Sequence, residues 1–151
     1  MTSSQTTPSQ ADLAETLTIH DIKRADAAIR PAVLETPLLT SDRLNAVLPF
    51  DLYLKAESLQ RTGSFKFRGA YNAVFGLDDP DQAVIAFSSG NHAQAVALSA
   101  RILNIPATIF MPHDASPAKL AATQGYGATV IGYDRYSEDA SAKAMQLAQE
   151  K

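Results

Sequence analysis

The sequence predicts an α/β protein organised around a parallel αβα sheet. Residues 83–87, 107–111 and 128–131 are continuous apolar runs of strand length. Each is followed by a stretch of helical character, at 91–103, 116–124 and 137–151. Strands that are apolar on both faces and alternate with helices belong between helical layers, as parallel sheets require.

The elements follow in order along the chain. Residues 1–10 are rich in Ser, Thr and Gln and carry no charged side chain. They lack the basic and apolar regions of a secretory signal and the arginines of a transit peptide, so residues 1–17 are expected to form a disordered leader. A helix is predicted over 21–33 from the spacing of Ile22, Ala25, Ile29 and Val33. Thr18 supplies its N-cap and Asp21 an acidic first-turn residue. Pro37 keeps Thr36 out of the helical region, and Ser41 then caps a short helix ending before Pro49. A strand is predicted over 51–55, with Leu52 and Leu54 on one face. A polar loop follows at 56–64, then a helix at 65–75.

Residues 77–82 form a turn-rich break, the natural boundary between an N-terminal part, 18–78, and a second lobe, 79–151. Pro117 suits the first turn of its helix. Gly125-Tyr126-Gly127 comes after a helix and reads as its stop and turn. The helix at 137–151 has no glycine stop and no strand after it. A helix in such a sheet normally crosses back to a further strand, so the chain is expected to stop mid-fold.

Composition removes several function classes. Hydrophobic residues make up 46% and charged residues 19%, with a formal net charge of -3. There is no basic run to bind nucleic acid and no apolar stretch near the ~20 residues of a membrane helix. With no cysteine, disulfides and thiolate metal sites are excluded, which suits a cytoplasmic protein. His20 and His113 lack partners at metal-ligand spacing, so no metal is expected.

Two junctions carry residue types suited to chemistry. In Arg61-Thr62-Gly63-Ser64-Phe65-Lys66, Gly63 permits a tight turn and Lys66 falls in the first turn of a helix. A lysine that forms Schiff bases must reach its neutral form, through burial or a nearby positive charge. Arg68 is one source of such charge, its direction being open from sequence. An isolated lysine, however, is normally solvated. The second junction is Ser88-Ser89-Gly90-Asn91-His92, between a strand and a helix. Unpaired N–H groups at a helix N-terminus favour an anion, and ligands of parallel sheets bind at the carboxyl ends of strands. Ser89 or Asn91 is equally suited to capping the helix, so cap and carboxylate cradle both stand. His92 reads as a residue that orients the loop.

Together, Gln60-Arg61-Thr62-Gly63-Ser64-Phe65-Lys66-Phe67-Arg68-Gly69-Ala70 and Ser88-Ser89-Gly90-Asn91-His92-Ala93-Gln94 resemble the pyridoxal-phosphate-dependent threonine/serine dehydratase and serine racemase family, of fold type II. A weaker likeness runs from about Ile19 to the end. Ala93 departs from the glycine common in racemase-like members, a lean towards dehydratase.

The resemblance implies that Lys66 carries pyridoxal 5'-phosphate and then removes the substrate α-proton. Asn91 would bond the ring hydroxyl of the cofactor and Phe65 border its ring. Ser88, Ser89, Gly90, Asn91 and His92 would line the substrate carboxylate site, with Ser89 the acid/base of racemases. The implied activity is an ammonia-lyase converting a β-hydroxy amino acid such as threonine or serine to a 2-oxo acid and ammonia. Serine racemase, 3-hydroxyaspartate dehydratase and an inactive ligand-binding remnant are the alternatives. The family's phosphate-binding loop and pyridine-nitrogen partner would lie downstream, so the chain is expected to be the N-terminal half. The 79–151 segment would be the small lobe and 18–78 an incomplete part of the larger one. Such a piece would have little activity alone, and homo-oligomers are compatible with the complete protein.

Overall fold

Helix formation begins where the sequence offers a cap. In α1 (Ile19–Ile29) the Thr18 hydroxyl accepts from the Asp21 N–H while the Asp21 carboxylate accepts from the Thr18 N–H at 2.9 Å. This reciprocal box satisfies two N–H groups that the helix leaves open. The helix stops at Ile29, short of the expected Val33. Pro31 has no N–H to continue the ladder, and the N–H groups of Ala32 and Val33 both fold back onto the Ile29 carbonyl, at 2.9 and 3.1 Å. The computed structural model describes residues 17–79 and 82–149. The expected leader lies outside the described residues apart from Leu17, as do the last two residues of the chain.

A small antiparallel ribbon follows. Strand β1 (Leu38–Thr40) pairs with β2 (Tyr53–Lys55), Leu38 opposite Lys55 and Thr40 opposite Tyr53. Between them lies α2 (Asp42–Asn45), whose Leu44 N–H is accepted by Ser41 Oγ. The strand expected from residue 51 starts later because the Leu52 N–H is taken by Asn45 Oδ1 at 2.9 Å. Two 3-10 turns, Glu57–Leu59 and Arg61–Gly63, give shape to the polar loop expected over 56–64. The buried Gln60 amide clamps this loop to Leu34, accepting from its N–H at 3.0 Å and donating to its carbonyl at 2.8 Å. Arg61 Nε adds a 2.6 Å bond to the Ala32 carbonyl.

Helix α3 (Lys66–Phe75) leads to the main sheet. Strands β3 (Val84–Phe87), β4 (Ala107–Pro112) and β5 (Thr129–Tyr133) lie side by side in that order, all parallel. The sequence-based fold class is therefore the observed one. Helix α4 (Asn91–Leu103) joins β3 to β4, and α5 (Pro117–Gly125) joins β4 to β5. Helix α6 (Ala140–Gln149) follows and packs against β3. It starts later than expected because the Asp139 carboxylate caps it, accepting from the Ser141 and Ala142 N–H groups.

Along β4, Ile109 and Met111 point into the core beside α3 and α4, while Phe110 faces α6. Alanines 93, 95, 97 and 100 are buried on α4. Their small side chains let α3 and the sheet approach the helix from two directions. Asn104, at φ 56°, ends α4 in the left-handed conformation that asparagine tolerates. Gly127, at φ +93°, makes the turn into β5 that a side chain would strain.

Candidate active site

The geometry of Lys66 is set by its neighbours in sequence. Phe67 is fully buried and its ring meets Tyr71 at 5.8 Å. That anchor fixes the rotation of α3 and leaves the preceding residue, Lys66, on the solvent side. The turn into α3 places Thr62 (φ 61°) and Gly63 (φ 70°) successively in the left-handed region. Thr62 and Ser64 both hold buried hydroxyl oxygens without a hydrogen-bond partner among the described residues.

Arg68 points elsewhere. Its Nε and Nη2 donate to the two oxygens of Glu57 at 2.9 and 2.7 Å, and the Thr36 hydroxyl donates to the same carboxylate at 2.6 Å. The Arg68 hydrogen bonds hold the Glu57 carboxyl below its ordinary range. Arg68 thus ties the base of α3 to the loop before it, and its guanidinium is engaged there.

Lys66 stands at the rim of a 370 Å³ cavity that Phe65, Ala70, Val84, His92 and Val96 help to line. Its Nζ lies 5.0 Å from the centre of the Phe65 ring, and no described residue pairs with it. His92 reaches the same cavity from the first turn of α4. Its imidazole is pushed below the ordinary value, first by burial and then by the positive charge of Lys66.

The structure therefore brings Lys66, Phe65 and His92 into one cavity. Ser88, Ser89, Gly90 and Asn91 lie beyond its lining, between β3 and α4. The Ser88 N–H extends the sheet by donating to the Phe110 carbonyl at 3.0 Å, and Ser88 Oγ accepts from the Gly90 N–H at 3.2 Å. Neither Ser89 nor Asn91 caps α4. Gly90 occupies the N-cap position, its own N–H held by Ser88 Oγ, Asn91 is the first helical residue, and among the described residues no N-cap side chain bonds the N–H groups that follow. The capping alternative thus fails, and the end of the helix stays open to an anion.

One residue close to this loop was not singled out from the sequence. A Cβ on Gly90 would stand 3.1 Å from Lys119 Nζ and 3.7 Å from its Cδ. Lys119 is the third residue of α5, and Ser116 before that helix makes no side-chain cap either. The sequence signal was a cation just after Pro117, where a helix N-terminus disfavours positive charge.

Residues 29–151 match the family model described as pyridoxal-phosphate dependent enzyme. The chain is 55% identical over 135 residues to an L-threo-3-hydroxyaspartate ammonia-lyase of Saccharomyces cerevisiae, covering 88% of this chain and 41% of that protein. It is 47% identical over 134 residues to a serine racemase of Schizosaccharomyces pombe, covering 87% and 42%. The solved structure of maize serine racemase superposes with a TM-score of 0.81 at 38% identity, covering 87% of this chain and 41% of that one. The chain therefore spans about two fifths of the length of these relatives.

Proposed function

This chain belongs to the pyridoxal-phosphate dependent enzyme family, and from that premise we propose that it contributes the lysine and carboxylate loop of an ammonia-lyase acting on a β-hydroxy amino acid. The observation that carries the reading is the placement of an unpaired primary amine, Lys66, at the rim of an apolar cavity beside Phe65 and His92. Pyridoxal phosphate is the cofactor of the family, and the cavity suits it. A flat aromatic aldehyde needs apolar walls and one accessible amine, and both are present.

The bound cofactor supplies an electron sink for charge that develops at the substrate α-carbon. In this reading the chain's own residues do the rest. Lys66 Nζ holds the cofactor and then takes the α-proton. Phe65 borders the cofactor ring, and Asn91 bonds its hydroxyl. The loop Ser88-Ser89-Gly90-Asn91-His92 receives the substrate carboxylate, since the free N–H groups at the start of α4 are suited to it. Loss of the α-proton and of the β-hydroxyl as water leads, after hydrolysis, to a 2-oxo acid and ammonia. His92, biased towards its neutral form, orients the loop without adding a second positive charge beside Lys66. The lobe division at 77–82 belongs to the same proposal, with α3 and α4 meeting across it in a shared core.

Threonine or serine is the substrate class read from the resemblance, and 3-hydroxyaspartate is the alternative favoured by the 55% identity to a lyase of that name. Racemisation is a second reading, because Ser89 stands in the loop and a relative is a serine racemase. Mixing the chain with pyridoxal phosphate, reducing with borohydride and mapping adducts by mass spectrometry tests the placement of the lysine. Preferential labelling of Lys66 is expected. Labelling spread evenly over Lys55, Lys66 and Lys119 would refute it. In the complete protein, 2-oxo acid release is expected, and inverted serine without any 2-oxo acid would favour the racemase.

A further inference from the structure

Two helix N-termini without side-chain caps and one lysine meet at the loop 88–92. Helix α4 begins without a side-chain cap, and so does α5. Each open end carries about half a unit of positive charge. Lys119 adds a full charge in the first turn of α5, where the helix itself disfavours it. No carboxylate among the described residues pairs with this ammonium. Asp114, five residues before Lys119 in the chain, is engaged by Arg135 at 2.7 Å.

Lys119 also has a defined direction. Its Nζ approaches the position where any side chain at residue 90 would begin, 3.1 Å from an ideal Cβ. Gly90 lies outside the left-handed region, with φ -158° and ψ -130°, so its glycine is not explained by a left-handed turn. What the missing Cβ provides is room for the ammonium against the backbone that opens α4.

We propose that Lys119 is a substrate-binding residue: its ammonium, seated over Gly90, receives the substrate carboxylate jointly with the open N–H groups of α4. A carboxylate there would balance a cation and a helix end together, through charge-assisted hydrogen bonds. The small residue at 90 and the cation at 119 act as one device contributed by two successive βα units. This inference rests on the reading of 88–92 as the carboxylate loop, and it concerns the chain's own residues whether or not the cofactor is bound.

The test is an NMR titration of the 15N-labelled chain with 3-hydroxypropionate, a carboxylate with the β-hydroxyl but no amine to react. Amide shifts are expected at Ser89, Gly90, Asn91 and His92. Lys119→Met should weaken the affinity about tenfold, and Lys119→Arg should keep it within about threefold. Gly90→Ala should weaken it as well, by displacing the ammonium. The double variant Gly90→Ala/Lys119→Met should then be no worse than Lys119→Met alone. Unchanged amides in β4 report that each variant is folded, and Lys119→Gln replaces Lys119→Met if they change.

Equal affinity of wild type and Lys119→Met overturns the proposal, as does the absence of shifts at residues 89–92. Tighter binding of inorganic phosphate at the same amides would assign the cation to a phosphate and also overturn it. Borohydride labelling of Lys66 is independent of these arms. Labelled Lys66 with a silent loop refutes the carboxylate loop and Lys119 together, a responsive loop with equal affinity of wild type and Lys119→Met refutes Lys119 alone, and a responsive loop with unlabelled Lys66 refutes the lysine assignment alone.

Discussion

Lys66 and His92 line one cavity from two different helices, and the charge of the lysine lowers the proton affinity of the imidazole. Burial is the larger cause and Lys66 the second, both starting from an ordinary value of 6.5. The His92 ring should therefore titrate below 6.5 when followed by NMR. Lys66→Met should move the midpoint upward without fully restoring it, since burial remains. The sign for stability follows. Between the folded midpoint and 6.5 the unfolded chain binds more protons, so stability rises with pH across that window and is flat above it. His92→Gln should remove this slope. A wild-type midpoint at or above 6.5 would refute the coupling.

The Arg68–Glu57 fork holds the lysine helix to its preceding loop, with side-chain exposures of only 27% and 17%. Glu57→Gln leaves Arg68 without its anion and is expected to lower stability by about 2 kcal/mol. The effect should be legible in denaturant midpoints. Because the Glu57 carboxyl is held below its ordinary 4.5, its contribution is complete above that pH and fades as pH falls through the lower folded value. Glu57→Gln should lose this part of the acid dependence, while the parts from Asp21, Asp134 and Glu138 remain. Equal stability of the two proteins at neutral pH would mean the fork is not holding α3.

Thr62 combines two unfavourable features. It is β-branched yet sits at φ 61°, and its buried hydroxyl has no described partner. A non-glycine residue in that region is disfavoured by about 1–2 kcal/mol, and asparagine tolerates it better. Thr62→Asn should therefore raise the unfolding free energy by about 1 kcal/mol. A loss of stability of that size would show that the threonine methyl packs in a way that outweighs the strain.

Much of this fold was legible because its signals are local. The apolar runs and the alanine-rich stretch 91–103 gave α4 its observed bounds and the sheet its parallel order. The capping box of Thr18 and Asp21 was equally local. The overshoot of α1 to Val33 came from weighting periodicity above the missing N–H of Pro31. Strand β1 was not foreseen because three residues, Leu38–Thr40, become a strand only through partners at 53–55. The same limit applies at the site. Lys66 and the loop 88–92 were marked by their sequence contexts, but the approach of Lys119 to Gly90 joins two βα units and depends on their packing. The direction of Arg68 likewise depended on Glu57, eleven residues earlier.

The open N-terminus of α4 separates binding from stability in a way that the capped helices α1 and α2 do not. Thr18 and Ser41 cap α1 and α2 through their hydroxyls, so Thr18→Ala should cost about 1 kcal/mol. Ser89 and Asn91 bear no such bond. Ser89→Ala and Asn91→Ala are therefore expected to change stability by less than about 0.5 kcal/mol. If the loop receives a carboxylate, the same two variants should weaken 3-hydroxypropionate binding in the NMR titration. A destabilisation like that of Thr18→Ala would restore the capping role. Unchanged binding in both variants would remove these two side chains from the cradle and leave its backbone N–H groups and Lys119 to hold the anion.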